Sequence, residues 1–293
     1  MIEIKRLVDC TLQEGVDAWN IGFKGYYFDA TTTPETFINR LVHEGLSPCL
    51  SIVAFQDNQP VGIVKNGVRE FKGKRIAWNG GTGVAKALRG KGIGKLLMEE
   101  TLSILKNEKV DIATLEAISD NHQAIQLYKK MGYEIIDDLE YLSLDGQIEK
   151  NAPTHTEHKY KLENAAPQEV AELSFYKGMY PWQTQWQNAK GGEAIILKNS
   201  SDAAIGYAYF RRVFNEENKH VTTVLYQCEA EDKNESADKI IKLLLHVVFS
   251  RYSNNIHYVV PNLPIRKSSI TYESLKEAGF KRKTSQVYMI KQM

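Results

Sequence analysis

Residues 84–98 read Val84-Ala85-Lys86-Ala87-Leu88-Arg89-Gly90-Lys91-Gly92-Ile93-Gly94-Lys95-Leu96-Leu97-Met98. The stretch predicts a strand that runs into a turn holding three glycines in five residues, then directly into a helix. Such a turn bends tightly and points successive backbone N–H groups into one space. A helix N-terminus adds roughly half a positive charge there, and Arg89, Lys91 and Lys95 add whole charges. The product is a cradle for a diphosphate, built mostly from backbone. A solubilising basic turn ahead of a helix is the plainer reading of the same residues.

The loop matches neither of two common phosphate motifs. The glycine–lysine order is wrong for a P-loop. The alternation of Gly90, Gly92 and Gly94 is not the Gly-x-Gly-x-x-Gly dinucleotide fingerprint. The pattern Arg89-x-x-Gly92-x-Gly94 instead resembles the acetyl-CoA loop of the GNAT N-acetyltransferase superfamily. A second stretch, residues 115–133, resembles another GNAT segment at Leu115, Glu116, Asn121, Ala124, Leu127, Tyr128, Gly132 and Tyr133. Loop, helix, strand and helix follow in the family's order, over about the first half of the chain. The run Asn79-Gly80-Gly81-Thr82-Gly83-Val84 is similar to that of tandem-domain GNATs. Two departures stand out. Lys86 occupies a position where proline is frequent, and Tyr133 replaces the usual phenylalanine, which keeps its packing if the hydroxyl finds a partner.

Composition bounds the rest. The 293 residues have room for two ordinary domains. They are 43% hydrophobic and 25% charged, as in soluble globular proteins. A formal net charge of +1 gives no case for broad nucleic-acid binding. Cys10, Cys49 and Cys228 are scattered and odd in number, against a disulfide or zinc framework, so no metal is expected. The opening Met-Ile-Glu-Ile-Lys-Arg reads as a strand rather than a signal peptide. No apolar run approaches ~20 residues, so no membrane span is expected and the cytoplasm is the default.

Periodicity predicts strands at 2–8, 50–56, 60–69 and 74–86, with helices near 11–20 and 34–45. A helix over 91–107, a strand at 110–118, a helix at 121–131 and a strand near 134–144 complete the first unit. Residues 145–159 are almost devoid of apolar side chains and read as a linker, with His155 and His158 solvated rather than metal-binding. The same order then returns: strands at 193–198, 203–212 and 220–230, a helix at 235–251, a strand at 256–261, a helix at 269–278 and a strand at 285–290. Lys276-Glu277-Ala278-Gly279-Phe280 stands where Lys129-Lys130-Met131-Gly132-Tyr133 stood. The expected fold is α+β: two GNAT-like domains, each a mixed, mostly antiparallel sheet flanked by helices. The expected division is a catalytic domain over 1–145, a linker over 146–159 and a degenerate GNAT-like domain over 160–293. The second copy has no cradle. Its turn, residues 231–236, has no glycine and three carboxylates, and Leu275 replaces the tyrosine.

Acyl transfer to an amine needs a held thioester, a deprotonated amine and a protonated leaving thiolate. The resemblance implies that backbone groups of Val84, Ala85 and Lys86 hold the pantetheine arm. It assigns the diphosphate to the turn of Arg89, Gly90, Lys91, Gly92, Ile93, Gly94 and Lys95. Asn121 is expected to cap the second helix and to touch the arm or a water. A strand N–H such as that of Val84 is the expected oxyanion donor. Tyr128 is the candidate general acid, since a phenol's ordinary pKa of ~10 lies above that of a thiol; it also fits an apolar stripe with Ala124 and Met131. Glu116 is the candidate base. It resembles the glutamate of N-terminal alanine acetyltransferases of ribosomal proteins, twelve residues before their tyrosine, and the same spacing separates Glu116 from Tyr128. Its plainer role is an inward charge that binds water or substrate. His122 and Asp29 are weaker base candidates. Tyr27 and Asp29 lie in an aromatic-rich stretch with Trp19, Phe23, Tyr26 and Phe28 that borders the acceptor site in the family. Tyr176, Tyr180, Trp182 and Trp186 are expected to pack between domains.

The function expected from these residues is N-acetyl transfer from acetyl-CoA to a primary amine, small or peptidic, by direct attack in a ternary complex. A non-catalytic CoA-binding module and an enzyme using another acyl-CoA are the alternatives. Monomer and homodimer are both open.

Overall fold

The computed structural model describes residues 1–146, 160–232, 234–249 and 256–293. The predicted linker, apart from Gly146, and with it His155 and His158, lies outside the described residues. Two compact units emerge. The first comprises residues 1–136 and 288–293, the second residues 137–287.

The first unit starts with β1 (Ile2–Arg6), then α1 (Leu12–Phe23) and α2 (Pro34–Glu44). Both helices begin where the sequence supplies caps. Thr11 accepts from the Glu14 N–H while the Glu14 carboxylate accepts from the Thr11 N–H. Thr33 caps α2 ahead of Pro34. Strands β2 (Ser47–Gln56), β3 (Gln59–Phe71) and β4 (Lys74–Val84) form an antiparallel meander. Helix α3 (Ile93–Asn107) then carries the chain over to β5 (Ile112–Ile118), which pairs parallel with β4. Helix α4 (His122–Lys130) follows.

The parallel ladder between β4 and β5 runs only from Ile76↔Ile112 to Asn79↔Leu115. Beyond it the two strands part. The cause lies in β4, where the register against β3 slips between Lys65↔Gly81 and Asn66↔Asn79, leaving Gly80 as an extra residue. A bulge of this kind bends its strand and ends pairing. Asn79 Oδ1 accepts from the Gly81 N–H at 3.0 Å, and the Arg40 guanidinium donates to the Gly80 carbonyl at 2.9 Å. Gly81 has φ of +150°, and a Cβ there would stand 2.8 Å from the Trp19 ring.

The second unit opens with the end of β6 (Glu134–Asp145) and continues with β7 (Lys161–Ala165) and the short helix α5 (Pro167–Val170). It then repeats the first unit's order. An antiparallel run of β8 (Glu193–Lys198), β9 (Ala204–Phe214) and β10 (His220–Ala230) leads into α6 (Ala237–Phe249). Strand β11 (His257–Pro264) pairs parallel with β10, and α7 (Ser269–Glu277) and β12 (Lys281–Gln292) close the series. Tyr176 packs on Tyr207 and Tyr209, and the Tyr180 hydroxyl donates to the Lys267 carbonyl, all within this unit. Among the described residues no helix is long and apolar enough to cross a membrane.

The contiguous split expected from sequence meets a different division here. Residues 137–145 of β6 belong to the second unit, where they pair antiparallel with β11 from Pro264↔Leu139 to His257↔Asp145. Residues 288–293, from the far end of the chain, belong to the first unit. There β12 is the neighbour of β5, and the Met293 N–H donates to the Asp111 carbonyl at 2.9 Å. Periodicity marks a strand but not its partner, because either neighbour satisfies the same alternation. Removing residues 288–293 is expected to leave β5 with an unpaired edge. It should lower the first unit's melting temperature by at least several degrees, measured by circular dichroism; an unchanged transition would contradict the assignment.

Lys65 is the oddest member of the first unit's interior. Its side chain is 0% exposed and its Nζ has no hydrogen-bond partner among the described residues. It sits 3.6 Å from the centre of the Trp19 ring and 5.0 Å from that of Phe37. The aromatic faces attract an ammonium, but desolvation dominates, the Arg40 charge adds to it and the Glu44 carboxylate opposes it. The pKa falls to about 6. Between that value and the ordinary lysine value the unfolded chain holds one proton more than the native protein, so stability rises with pH across the window. Lys65→Met is expected to raise stability at pH 7 and flatten the rise, read from denaturant unfolding at several pH values.

Candidate active site

Where β4 and β5 part, a cavity of about 710 Å³ opens in the first unit. Its walls come from the end of α1, the free end of β4, the glycine turn and the first turns of α3 and α4. Val84, Arg89, Gly90, Gly92, Gly94, Lys95, Asn121 and Tyr128 line it, as does Tyr27. His122, Thr82, Gly83, Phe23 and Tyr26 do so as well.

The glycine turn leaves backbone N–H groups uncovered at the start of α3. Gly90 and Gly92 have φ of +76° and +87°, and a Cβ on either would meet nothing within 4 Å. Gly92 caps α3 without a side chain, and the first helical bond runs from the Leu96 N–H to the Gly92 carbonyl. The N–H groups of Ile93, Gly94 and Lys95 therefore have no partner within the helix. The first turn of α3 carries no acidic residue. These features fit a diphosphate held by main-chain donors.

The structure divides the labour of the predicted cradle residues. Arg89 donates to the Val84 carbonyl at 2.9 Å and to the Gly22 carbonyl at 3.0 Å, so its guanidinium ties the end of α1 to the end of β4. This positioning role was invisible in sequence, because Gly22 is 67 residues away. Ala85 is buried and its N–H donates to the Val61 carbonyl. Lys86 opens a short turn of 3₁₀-helix and is exposed, as is Lys91. The Ile93 side chain is buried in the core beside Leu97, leaving its backbone to the turn.

Tyr128 and Glu116 stand apart in environment. Tyr128 is buried on α4, its ring edge-on to Tyr133. Burial pushes its pKa up to about 12. Glu116 lies on β5 one residue beyond the last paired position, and its Oε2 accepts from the Trp78 indole N–H at 2.6 Å. It is not among the residues that line the cavity. Asn121 caps α4 by accepting from the Ala124 N–H at 3.2 Å. Tyr27 donates to the Asp120 carbonyl at 3.1 Å and so reaches from the α1–α2 loop to the residues just before α4. Asp29 is exposed and outside the cavity lining; bonds from Thr31 hold its carboxyl below the ordinary range. Sequence reasoning passed over Thr82 and Asn79 as site residues. Their only sequence signal was their place in the glycine-rich run 79–84.

In the second unit, β10 and β11 also pair parallel for three positions and then part. The place is tied shut. Thr271 Oγ1 donates to the Cys228 carbonyl at 2.5 Å, and Ser268 hydrogen-bonds Glu229. The turn before α6 spends its donors internally: the Ser236 N–H goes to Asn234 Oδ1 and the Ala237 N–H to the Asn234 carbonyl. Lys233, in the middle of that turn, lies outside the described residues.

Residues 15–133 match the family model for the Acetyltransferase (GNAT) family. No curated protein matches this sequence. Solved structures match along the whole chain. A tandem GNAT protein from the clavulanic acid biosynthesis pathway is 12% identical and covers 100% of this chain and 98% of its own, with a TM-score of 0.61. A GCN5-related N-acetyltransferase from Sphaerobacter thermophilus is 13% identical over 100% and 95%, with a TM-score of 0.62. A putative acetyltransferase from Pyrococcus horikoshii is 18% identical over 100% and 89%, with a TM-score of 0.58. At these identities the likeness shows the fold.

Tyr133 departs from the family's usual phenylalanine, and its hydroxyl is buried with no hydrogen-bond partner among the described residues. The partner that the substitution calls for is missing. Tyr133→Phe is expected to stabilise the protein by about 1 kcal/mol, since an unsatisfied hydroxyl costs of that order; chemical denaturation measures it.

Proposed function

From a chain whose residues 15–133 form a GNAT domain and whose whole length has the tandem GNAT fold, we propose an acetyl-CoA-dependent N-acetyltransferase acting on a primary amine. One observation carries the reading: a single cavity brings together the uncapped start of α3, the free end of β4 and the buried hydroxyl of Tyr128.

Acetyl-CoA would supply an activated acetyl thioester. The amides of residues 93–95, with Lys95 nearby, would hold its diphosphate. Each charge-assisted bond is worth ~1.5–3 kcal/mol. Val84 sits where β4 has left β5, and its free edge would bond the pantetheine arm and offer the N–H that stabilises the developing oxyanion. Tyr128 would protonate the departing sulfur. With its pKa pushed up to about 12 it stays protonated at neutral pH, ready to donate and unable to compete as a base. Glu116, fixed by Trp78, would take the amine proton through water. Tyr26 and Tyr27 border the cavity where an acceptor would enter.

Calorimetry with CoA and acetyl-CoA, followed by thiol release against a panel of amines, tests this reading. Binding without release would make the protein a CoA-binding module, and release with a longer acyl-CoA alone would change the donor. Tyr128→Phe is expected to lower kcat by about 10²-fold or more while leaving acetyl-CoA affinity within about twofold. An unchanged kcat would remove Tyr128 from the chemistry.

A further inference from the structure

We propose that Arg40, which stands outside the cavity on α2, is a positioning residue for acyl transfer: by holding the Gly80 carbonyl it sets which face the free end of β4 turns to the acyl thioester. The inference rests on the reading of Val84 as the oxyanion donor.

Gly80 decides that face. The register of β4 against β3 passes from Asn66↔Asn79 to Lys65↔Gly81, and Thr82 and Val84 follow in step opposite Val64 and Gly62. Were Gly80 taken up into the ladder, every residue after it would move by one place. Thr82 and Val84 would then turn to the opposite face. The cavity wall would change with them, since both line it. The space around Gly80 is tight: a Cβ there would stand 2.7 Å from the Trp78 ring and 2.8 Å from Leu46.

The extra residue brings a carbonyl that the ladder does not use, and such a group needs a donor. Arg40 supplies it. Its Nη2 donates to the Gly80 carbonyl at 2.9 Å and its Nε to Glu44 Oε2 at 2.7 Å. The guanidinium carbon lies 4.8 Å from the centre of the Trp19 ring. Glu44 is buried, and Arg69 donates to its carbonyl at 3.2 Å, so the carboxylate that steers Arg40 sits on an anchored helix end. Trp19 fills the space beside Gly81 and is itself tied by its indole N–H to the Ala30 carbonyl at 2.7 Å. A guanidinium meets this set of partners because its planar fork reaches a carboxylate and a carbonyl together with its face on an indole. An ammonium is a point charge on a flexible stem and keeps no such plane. Arg40 is not among the residues that line the cavity, so it acts on the reaction only through the strand.

Full-length Arg40→Ala and Arg40→Lys test this. The Arg40 side chain is 32% exposed, so a guanidinium ion from solution can enter the space that alanine leaves. In protein labelled with ¹⁵N-valine, the Val84 amide is identified by its loss in Val84→Ile. Its resonance should move in both Arg40 variants. Guanidinium, added well below the concentrations that unfold the protein, should return it in Arg40→Ala, and sodium chloride at equal ionic strength should not. With the fastest amine acceptor, kcat of Arg40→Ala should fall by about tenfold or more and recover with guanidinium. CoA affinity, supplied mainly by the diphosphate on α3, should fall by no more than about threefold. Arg40→Lys, which keeps one of the two bonds, should lose less. A Val84 amide that is unmoved in both variants overturns the proposal. So does an unchanged kcat in both, or a kcat loss that guanidinium leaves untouched. A natural protein that binds CoA but releases no thiol with any amine would instead end the reading of the function, and the Val84 amide would still decide whether Arg40 sets the strand.

Discussion

The separation of β4 from β5 is the constraint on which the first unit's chemistry depends. Two parallel strands bonded along their whole length present no free donors and leave no room between them. Here the pairing stops at Asn79↔Leu115 because Gly80 is one residue too many in β4. The bulge is held from several sides: Asn79 folds back on the Gly81 N–H, Arg40 grips the Gly80 carbonyl, and Trp19 fills the space where a side chain on Gly81 would sit. Everything downstream of that point on β4 is then free to face a cavity. Thr82 and Val84 line it, and Arg89 pulls the strand's end against α1.

The two units show the same layout put to different uses. In the first, a helix begins at a glycine that offers no side-chain cap, so its first N–H groups have no partner within the helix. In the second, asparagine and threonine side chains consume the corresponding donors and acceptors. Glu229 adds a buried carboxyl whose pKa rises to about 7 through desolvation, hydrogen-bonded to Ser268. Such a network stabilises a closed seam rather than an open one.

Much of the candidate site's local geometry was legible in sequence because its pieces are neighbours in the chain. The cradle needs glycines at 90 and 92, a helix right after them and no acid in its first turn, and all of these are neighbours in the chain. Asn121 as a cap and Tyr128 two turns on are fixed by helical geometry. Glu116 was legible as a residue but not as an environment, since its partner Trp78 lies on another strand. Arg89 read as a charge for the ligand, whereas its hydrogens go largely to carbonyls of α1 and β4. Thr82 was unreadable: a threonine in a strand is ordinary, and its place in the cavity wall comes from β4 leaving β5 and from its bond with Asn79.

By itself the sequence determined the order of strands and helices in the first unit and from β8 onward in the second, but not β7 or α5, and it marked the uncovered helix start at Gly92. These follow from alternation, capping and glycine content, which act over a few residues. Tertiary structure alone decided that residues 288–293 complete the first unit while most of β6 joins the second. It also decided that Lys65 is buried against Trp19. Strand partners, desolvation and hydrogen-bond direction depend on which distant segments share a surface, and no local pattern encodes that choice.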